Sequence, residues 1–300
     1  MGSGSWTTNA FNAYTTSTKG VDAVTFATAN NVTVQDVYKA HNLSAALNPK
    51  NVMRECRDSE EHPNTVPVIL ALDVTGSMGQ AAVKVAQKLN DIMTEIYTNK
   101  SVPDIEFCIM GIGDLKYDDA PIQISQFESD IRIAEQLDEI YFEGGGGGNK
   151  YESYTAAWYM GLHHCDLDCW KRGKKGIIIT MGDERLNPML PKLDWSGHKG
   201  LGGVTGDAVQ ADIETTELFE EAKEKFELYH LSVDDKDSSY KWINANYDID
   251  GSWHELLGDH YDVVTLDSLA KKITSIITDN IGVTKYEANP NINPNGEIGW

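Results

Sequence analysis

The chain is expected to fold as an α/β protein: a doubly wound, mostly parallel six-stranded sheet with helices on both faces, Rossmann-like in layout. Three observations predict this. Apolar runs of strand length, Val66–Leu72, Ile105–Ile112 and Gly176–Thr180, lack the alternation of a half-exposed strand, as a sheet covered on both faces requires. Segments with apolar residues at helical spacing stand between them. Several runs also close on an acid, at Asp73, at Asp114 and at Asp183 after Met181-Gly182.

Residues 1–64 read as an N-terminal arm, largely irregular, because Ser, Thr, Asn and Gly dominate its first half around isolated Trp6, Phe11, Tyr14 and Phe26. One short helix is expected within 33–48, ended by Pro49. The α/β domain spans 65–285. After the first strand, Ala82, Val85, Ala86, Leu89, Ile92, Met93 and Ile96 mark a helix, and the run from Ile105 is the second strand. Gln123–Phe127 suits an edge strand, followed by a helix through Ile131, Ala134, Leu137 and Ile140. The glycines 144–148 should open a helix from about Glu152 to His164. After the strand from Gly176, a long irregular loop is expected over 184–206, then an acidic helix carrying Leu218, Phe219 and Ala222. Strands Leu228–Val233 and Val263–Leu266 complete the sheet. A last helix presents Leu269, Ile273, Ile276 and Ile277 on one face, and 286–300 reads as a flexible tail.

Charge narrows the function classes. The 46 acids against 25 Lys and Arg leave a formal charge of −21, which repels phosphate backbones, so no nucleic-acid partner is expected. No apolar run approaches the 18 or so residues of a membrane span, so no membrane partner is expected either. The start, Met1-Gly-Ser-Gly-Ser-Trp6, lacks the basic and apolar parts of a secretory signal and the Ser or Thr that myristoylation wants. Four cysteines are too few for a disulfide framework in a chain this long, so a cytoplasmic location is expected. Oligomeric state is not readable.

In open α/β sheets ligands sit beyond the carboxyl ends of the strands. Topology alone therefore gathers Asp73, Asp114 and Asp183 there, with Thr75, Ser77, Asn149 and Glu152 from the connecting loops. In Asp73-Val-Thr75-Gly-Ser77-Met-Gly79 a strand-end carboxylate precedes two hydroxyls in the turn into a helix. These hard oxygens suit Mg²⁺, or Mn²⁺ or Ca²⁺, and offer no soft ligand for zinc. Neutral hydroxyls leave much of the ion's charge uncompensated, which favours an anionic ligand from outside. The bland alternative is an ordinary helix cap, since Asp, Thr and Ser all cap helices well. Against it, three strand-end acids without a cation repel one another.

The pattern Asp-x-Thr-Gly-Ser at 73–77 resembles the metal-ion-dependent adhesion site (MIDAS) of von Willebrand factor A domains, in the variant of intracellular bacterial and phage-like members. Gly147-Gly-Asn149-Lys-Tyr-Glu152 is similar to the G-G-D-x-P-E segment some of them carry. The resemblance spans roughly 65–282. It implies that Thr75 and Ser77 bind metal directly, and Asp73 directly or through water. Asn149 stands where the family has Thr or Asp, leaving Asn149, Glu152 or Glu143 for the third loop. Thr180-Met-Gly-Asp183 displaces the last carboxylate by two residues, so Glu184 competes with Asp183.

The expected function is metal-dependent binding of a protein partner that places an Asp or Glu on the ion, with no catalysis. The loop Asp114–Pro121 and the loop bearing Met189, Leu190, Leu193 and Trp195 would shape the contact. The alternative is Mg²⁺-dependent phosphoryl transfer with Asp73 as nucleophile, because Asp73-Val-Thr-Gly-Ser77 also resembles the D-K-T-G-T segment of haloacid-dehalogenase-like enzymes. That chemistry wants a lysine, which Lys150, Lys174 or Lys175 would have to supply. The His163–Cys169 cluster reads as a solvated helix end, and Trp170–Lys175 as a basic turn far from Asp73.

Overall fold

The computed structural model describes residues 5–98, 104–144, 149–234 and 239–281. Its central sheet comprises β1 (Val66–Asp73), β2 (Ile105–Ile112), β3 (Ile122–Ile124), β4 (Gly176–Gly182), β5 (Phe226–Val233) and β6 (Tyr261–Val264). Across the sheet they lie in the order β3-β2-β1-β4-β5-β6. All neighbours are parallel except β3, which runs antiparallel to β2 at the edge. This is the doubly wound α/β layout expected. Succession along the chain reverses between β1 and β4, and such a reversal opens a crevice beyond the strand ends.

Strand β1 shows how one sequence serves two cores. Val68, Leu70 and Leu72 point into one apolar cluster, and Ile69 and Ala71 into the other. The first is closed by α4 (Gly79–Thr98), α5 (Arg132–Asp138) and α11 (Leu266–Ile281), the second chiefly by α6 (Ala156–His163), α8 (Thr215–Ala222), α9 (Tyr240–Tyr247) and α10 (Ile249–Leu257). Among the described residues no helix is long and apolar enough to cross a membrane.

The arm departs from its expectation. It forms α1 (Thr8–Lys19), α2 (Ala23–Thr28) and α3 (Val34–Val37), so the helix expected within 33–48 is only four residues long. Each is capped by its own sequence: Thr7 accepts from Ala10 N, Asp22 from Val24 N and Thr25 N, and Thr33 with Asp36 forms a capping box. Low intrinsic propensity is overridden by packing, because Trp6, Phe11 and Phe26 are buried in the same core as α4. Gln87 of α4 donates to the carbonyls of Phe26 and Ala29, Trp6 Nε1 to Asn90, and Tyr38 OH to the Ala82 carbonyl.

Three smaller expectations are also corrected. The helix expected from Glu152 begins at Ala156, because Glu152–Thr155 form the irregular lead-in at the sheet edge. The span 184–206 is not without order: Met189–Leu190 pairs with Ile213–Glu214, and α7 (Gly200–Thr205) follows. The His163–Cys169 cluster is solvated only in part: His163 is exposed, but His164, Cys165, Leu167 and Cys169 are buried. Cys165–Leu167 pairs with Arg54–Cys56, while buried His164 meets the Val52 carbonyl at 2.9 Å and Asp207 at 2.7 Å. Glycines 145–148 and the tail 286–300 lie outside the described residues.

Candidate functional site

At the reversal between β1 and β4, Asp73 and Asp183 end up side by side, both fully buried. After Asp73 the chain turns through Thr75, a short 3₁₀ turn at Gly76–Met78, and Gly79, whose φ of +36° is a conformation that favours glycine. Asp73 Oδ1 accepts from Thr75 N (2.9 Å) and from Thr75 Oγ1 (2.6 Å), which fixes the turn. Ser77 Oγ donates to Asp183 Oδ1 at 2.8 Å, and Asp183 Oδ2 accepts from Ser239 N at 2.8 Å.

The two hydroxyl oxygens, of Thr75 and Ser77, lie 3.2 Å apart. Each hydroxyl owns one proton. Thr75 spends its proton on Asp73 and Ser77 on Asp183, so the facing oxygens present lone pairs to each other. An octahedral ion with oxygen ligands at about 2.1 Å has ligand edges of about 3.0 Å. The Thr75–Ser77 and Ser77–Asp183 separations, 3.2 and 2.8 Å, bracket that edge. No Lys or Arg nitrogen bonds Asp73 or Asp183 among the described residues. Nor do three His, Cys, Asp or Glu side chains gather there closely enough to hold a metal by themselves. Any cation at this place needs the hydroxyls.

Acids crowd the surroundings. Burial and the charge of Asp183 push Asp73 above the usual carboxylate range. Glu152 is raised by burial and then by Asp73, and Asp183 by burial. Glu184 is pushed up to about 8 by burial with Asp183 and Asp73, and burial takes Asp114 to about 6 and Asp118 to about 7. Glu152 Oε2, Glu184 Oε2 and Asp114 Oδ2 are buried without a hydrogen-bond partner. Buried acceptors of this kind are costly unless something supplies donors or positive charge.

The third-loop alternatives separate. Glu143 accepts from Asp119 N at 2.7 Å and Ala120 N at 3.4 Å, so it caps the loop after β2. Asn149 keeps its Nδ2 buried without a hydrogen-bond partner. Glu152 faces Asp73 with a free oxygen. Glu152 joins the Asp73–Asp183 cluster.

Tyr154 was not singled out from the sequence. Its hydroxyl donates to Asp73 Oδ2 at 2.6 Å and accepts from Glu184 N at 3.2 Å, bridging the ends of β1 and β4. The ring crosses Gly182 so closely that a Cβ there would lie 2.0 Å from the hydroxyl. With Thr75 and Tyr154 on its two oxygens, Asp73 is fully engaged. Lys150 lies over the Tyr247 ring at 3.7 Å and Lys174 and Lys175 lead into β4 at the opposite edge, so among the described residues none of the three lysines considered bonds Asp73.

The rim carries exposed apolar side chains. Leu193 and Trp195 point outward, Trp195 at 68% exposure, and Trp195 N bonds the carbonyl of Lys116 beside exposed Tyr117. Asp194 Oδ1 accepts from the amides of Ser196 and His198, closing the turn that displays the indole. Trp242, on α9 next to Ser239, is exposed as well.

No family model matches the chain, and no curated protein does. Solved structures similar in fold include a pilus adhesin, SpaC from Lactobacillus rhamnosus GG, at 16% identity and TM-score 0.47, covering 77% of this chain and 31% of that one. The vWF domain of the type V pili tip protein Mfa5 from Porphyromonas gingivalis has 11% identity and TM-score 0.43, over 75% of this chain and 98% of that one. BatB from Bacteroides thetaiotaomicron, a conserved hypothetical protein, has 14% identity and TM-score 0.40, over 72% and 98%. The chain thus spans about a third of the adhesin's length.

Proposed function

We propose that the chain is a metal-dependent protein-binding module of MIDAS type, in which Thr75, Ser77 and Asp183 hold Mg²⁺, or Mn²⁺ or Ca²⁺, and a partner's Asp or Glu completes the coordination. The observation that carries this reading is the pair of facing hydroxyl oxygens, each with its proton directed to a carboxylate, beside two buried acids that no Lys or Arg nitrogen bonds among the described residues. A divalent ion would neutralise that cluster and remain a Lewis acid toward an incoming carboxylate.

In this reading Asp73 positions Thr75 and reaches the ion through water, since both of its oxygens already have donors. Glu152 is the carboxylate poised to accept from the ion's water shell. The Asp114–Pro121 loop and the turn bearing Trp195 form the rim that a protein partner meets. An acidic partner is repelled by the body everywhere except at the metal, so binding should vanish with chelator and improve at moderate salt.

The test is calorimetric titration of Mn²⁺ into wild type, Ser77→Ala and Asp183→Asn. We expect one site in wild type and at least a tenfold loss in each variant. Equal affinity in all three, or none in wild type, would end the metal reading. Affinity capture with and without EDTA, comparing wild type with Asp73→Ala, then addresses the partner.

A further inference from the structure

The chain has five arginines. Arg54 donates to two backbone carbonyls, and Arg57, Arg132 and Arg172 bind carboxylates. Arg185 alone has no hydrogen bond or carboxylate partner among the described residues, and its Nε is buried without an acceptor. In a chain with 46 acids this is unusual, the more so because Arg185 directly follows Asp183 and Glu184.

Its place is fixed. Arg185 forms a parallel bridge with Tyr151, which puts it beside the Asn149–Glu152 segment. Lys150, the next cation on that segment, is exposed and pairs with no carboxylate among the described residues; its Nζ rests on the Tyr247 ring. Two cations therefore belong to the paired segments 149–152 and 183–185 that carry the site's carboxylates, and neither bonds one of those carboxylates among the described residues. The buried acids that could have taken Arg185, Glu184 and Asp114, each keep an oxygen unpartnered.

We infer that Arg185, assisted by Lys150, forms an anion subsite for a second carboxylate of the bound partner, so that the segment recognised is an acidic pair: one Asp or Glu on the ion and another, a few residues along, on the guanidinium. This rests on the metal reading above. A guanidinium offers a planar fork that matches a carboxylate, and this one has no carboxylate partner among the described residues. The subsite also reduces the repulsion that a chain of charge −21 imposes on an acidic ligand.

The probe is a set of eight-residue Gly/Ser peptides with blocked ends, carrying one Asp or two Asp separated by two to four positions. Binding to the Mn²⁺-loaded full chain is read from paramagnetic broadening of the peptide resonances. At least one two-Asp peptide should bind about tenfold more tightly than the one-Asp peptide. Arg185→Gln should erase that advantage, Arg185→Lys restore part of it and Lys150→Met reduce it, with Mn²⁺ affinity unchanged in all three. Equal binding of all peptides by Mn²⁺-loaded wild type, or an advantage that survives Arg185→Gln, would overturn the subsite alone. Failure of wild type to bind Mn²⁺ would overturn the metal reading and the subsite with it.

Discussion

The two edges of the sheet handle charge in opposite ways. At the amino-terminal edge nearly every ion has its counter-ion: Arg57 binds Glu55, Asp166 and Asp168, Lys171 binds Asp168, Arg172 binds Asp58, and Lys175 binds Glu227. At the carboxyl-terminal edge Asp73, Asp114, Glu152, Asp183 and Glu184 are gathered with no basic side chain bonded to any of them among the described residues. Asp168 accordingly titrates near 2, held down chiefly by Lys171, whereas burial lifts Glu184 to about 8. One edge is complete in itself. The other, among the described residues, leaves its acids without bonded counter-ions.

The contrast can be broken most severely at Gly182. A methyl group there would collide with the Tyr154 hydroxyl and drive it from Asp73, so Gly182→Ala should lose about 3 kcal/mol in urea unfolding. Divalent cation should sharpen it from the other side. At a hundredfold excess over its dissociation constant, Mg²⁺ or Mn²⁺ should add about 2.7 kcal/mol, and a domain of this size should then melt some 5–10 °C higher. Asp183→Asn should abolish that gain.

The pH response should separate the edges next. Raised carboxyls such as Glu184 and Asp118 favour folding while protonated, a contribution present below their unfolded values near 4 and lost as pH rises through about 7 to 8. Metal-free protein should therefore melt progressively lower from pH 6 to 9, and saturating Mg²⁺ should flatten that slope. Asp168 acts in the reverse sense: its contribution holds above about 4 and fades only as pH falls toward 2. The smallest effect is expected at Trp195. Trp195→Ala should leave the melting temperature within a degree or so, because the indole is mostly exposed, while weakening capture of a protein partner.

Much of this was legible beforehand, for identifiable reasons. Continuous apolar runs ending in acids located β1, β2 and β4, and strand order then brings Asp73 to Asp183 without further information. Residues whose role depends on a crossing in space were not legible. Tyr154 looks like an ordinary helix residue until Gly182 lets its ring pass, and Arg185 gains meaning only from the partners it lacks. The arm was misread because Ser-, Thr- and Asn-rich segments score as irregular, although its Thr7, Asp22 and Thr33 caps were visible as residues.

The clasp of that arm on α4 has a practical consequence for anyone trimming the gene. A fragment started at Thr65, just ahead of the first sheet strand, would uncover the side of α4 that Trp6, Phe11 and Phe26 now shield and orphan the Gln87 amide. Such a fragment should clump on expression, and soluble versions need to reach back at least to Trp6.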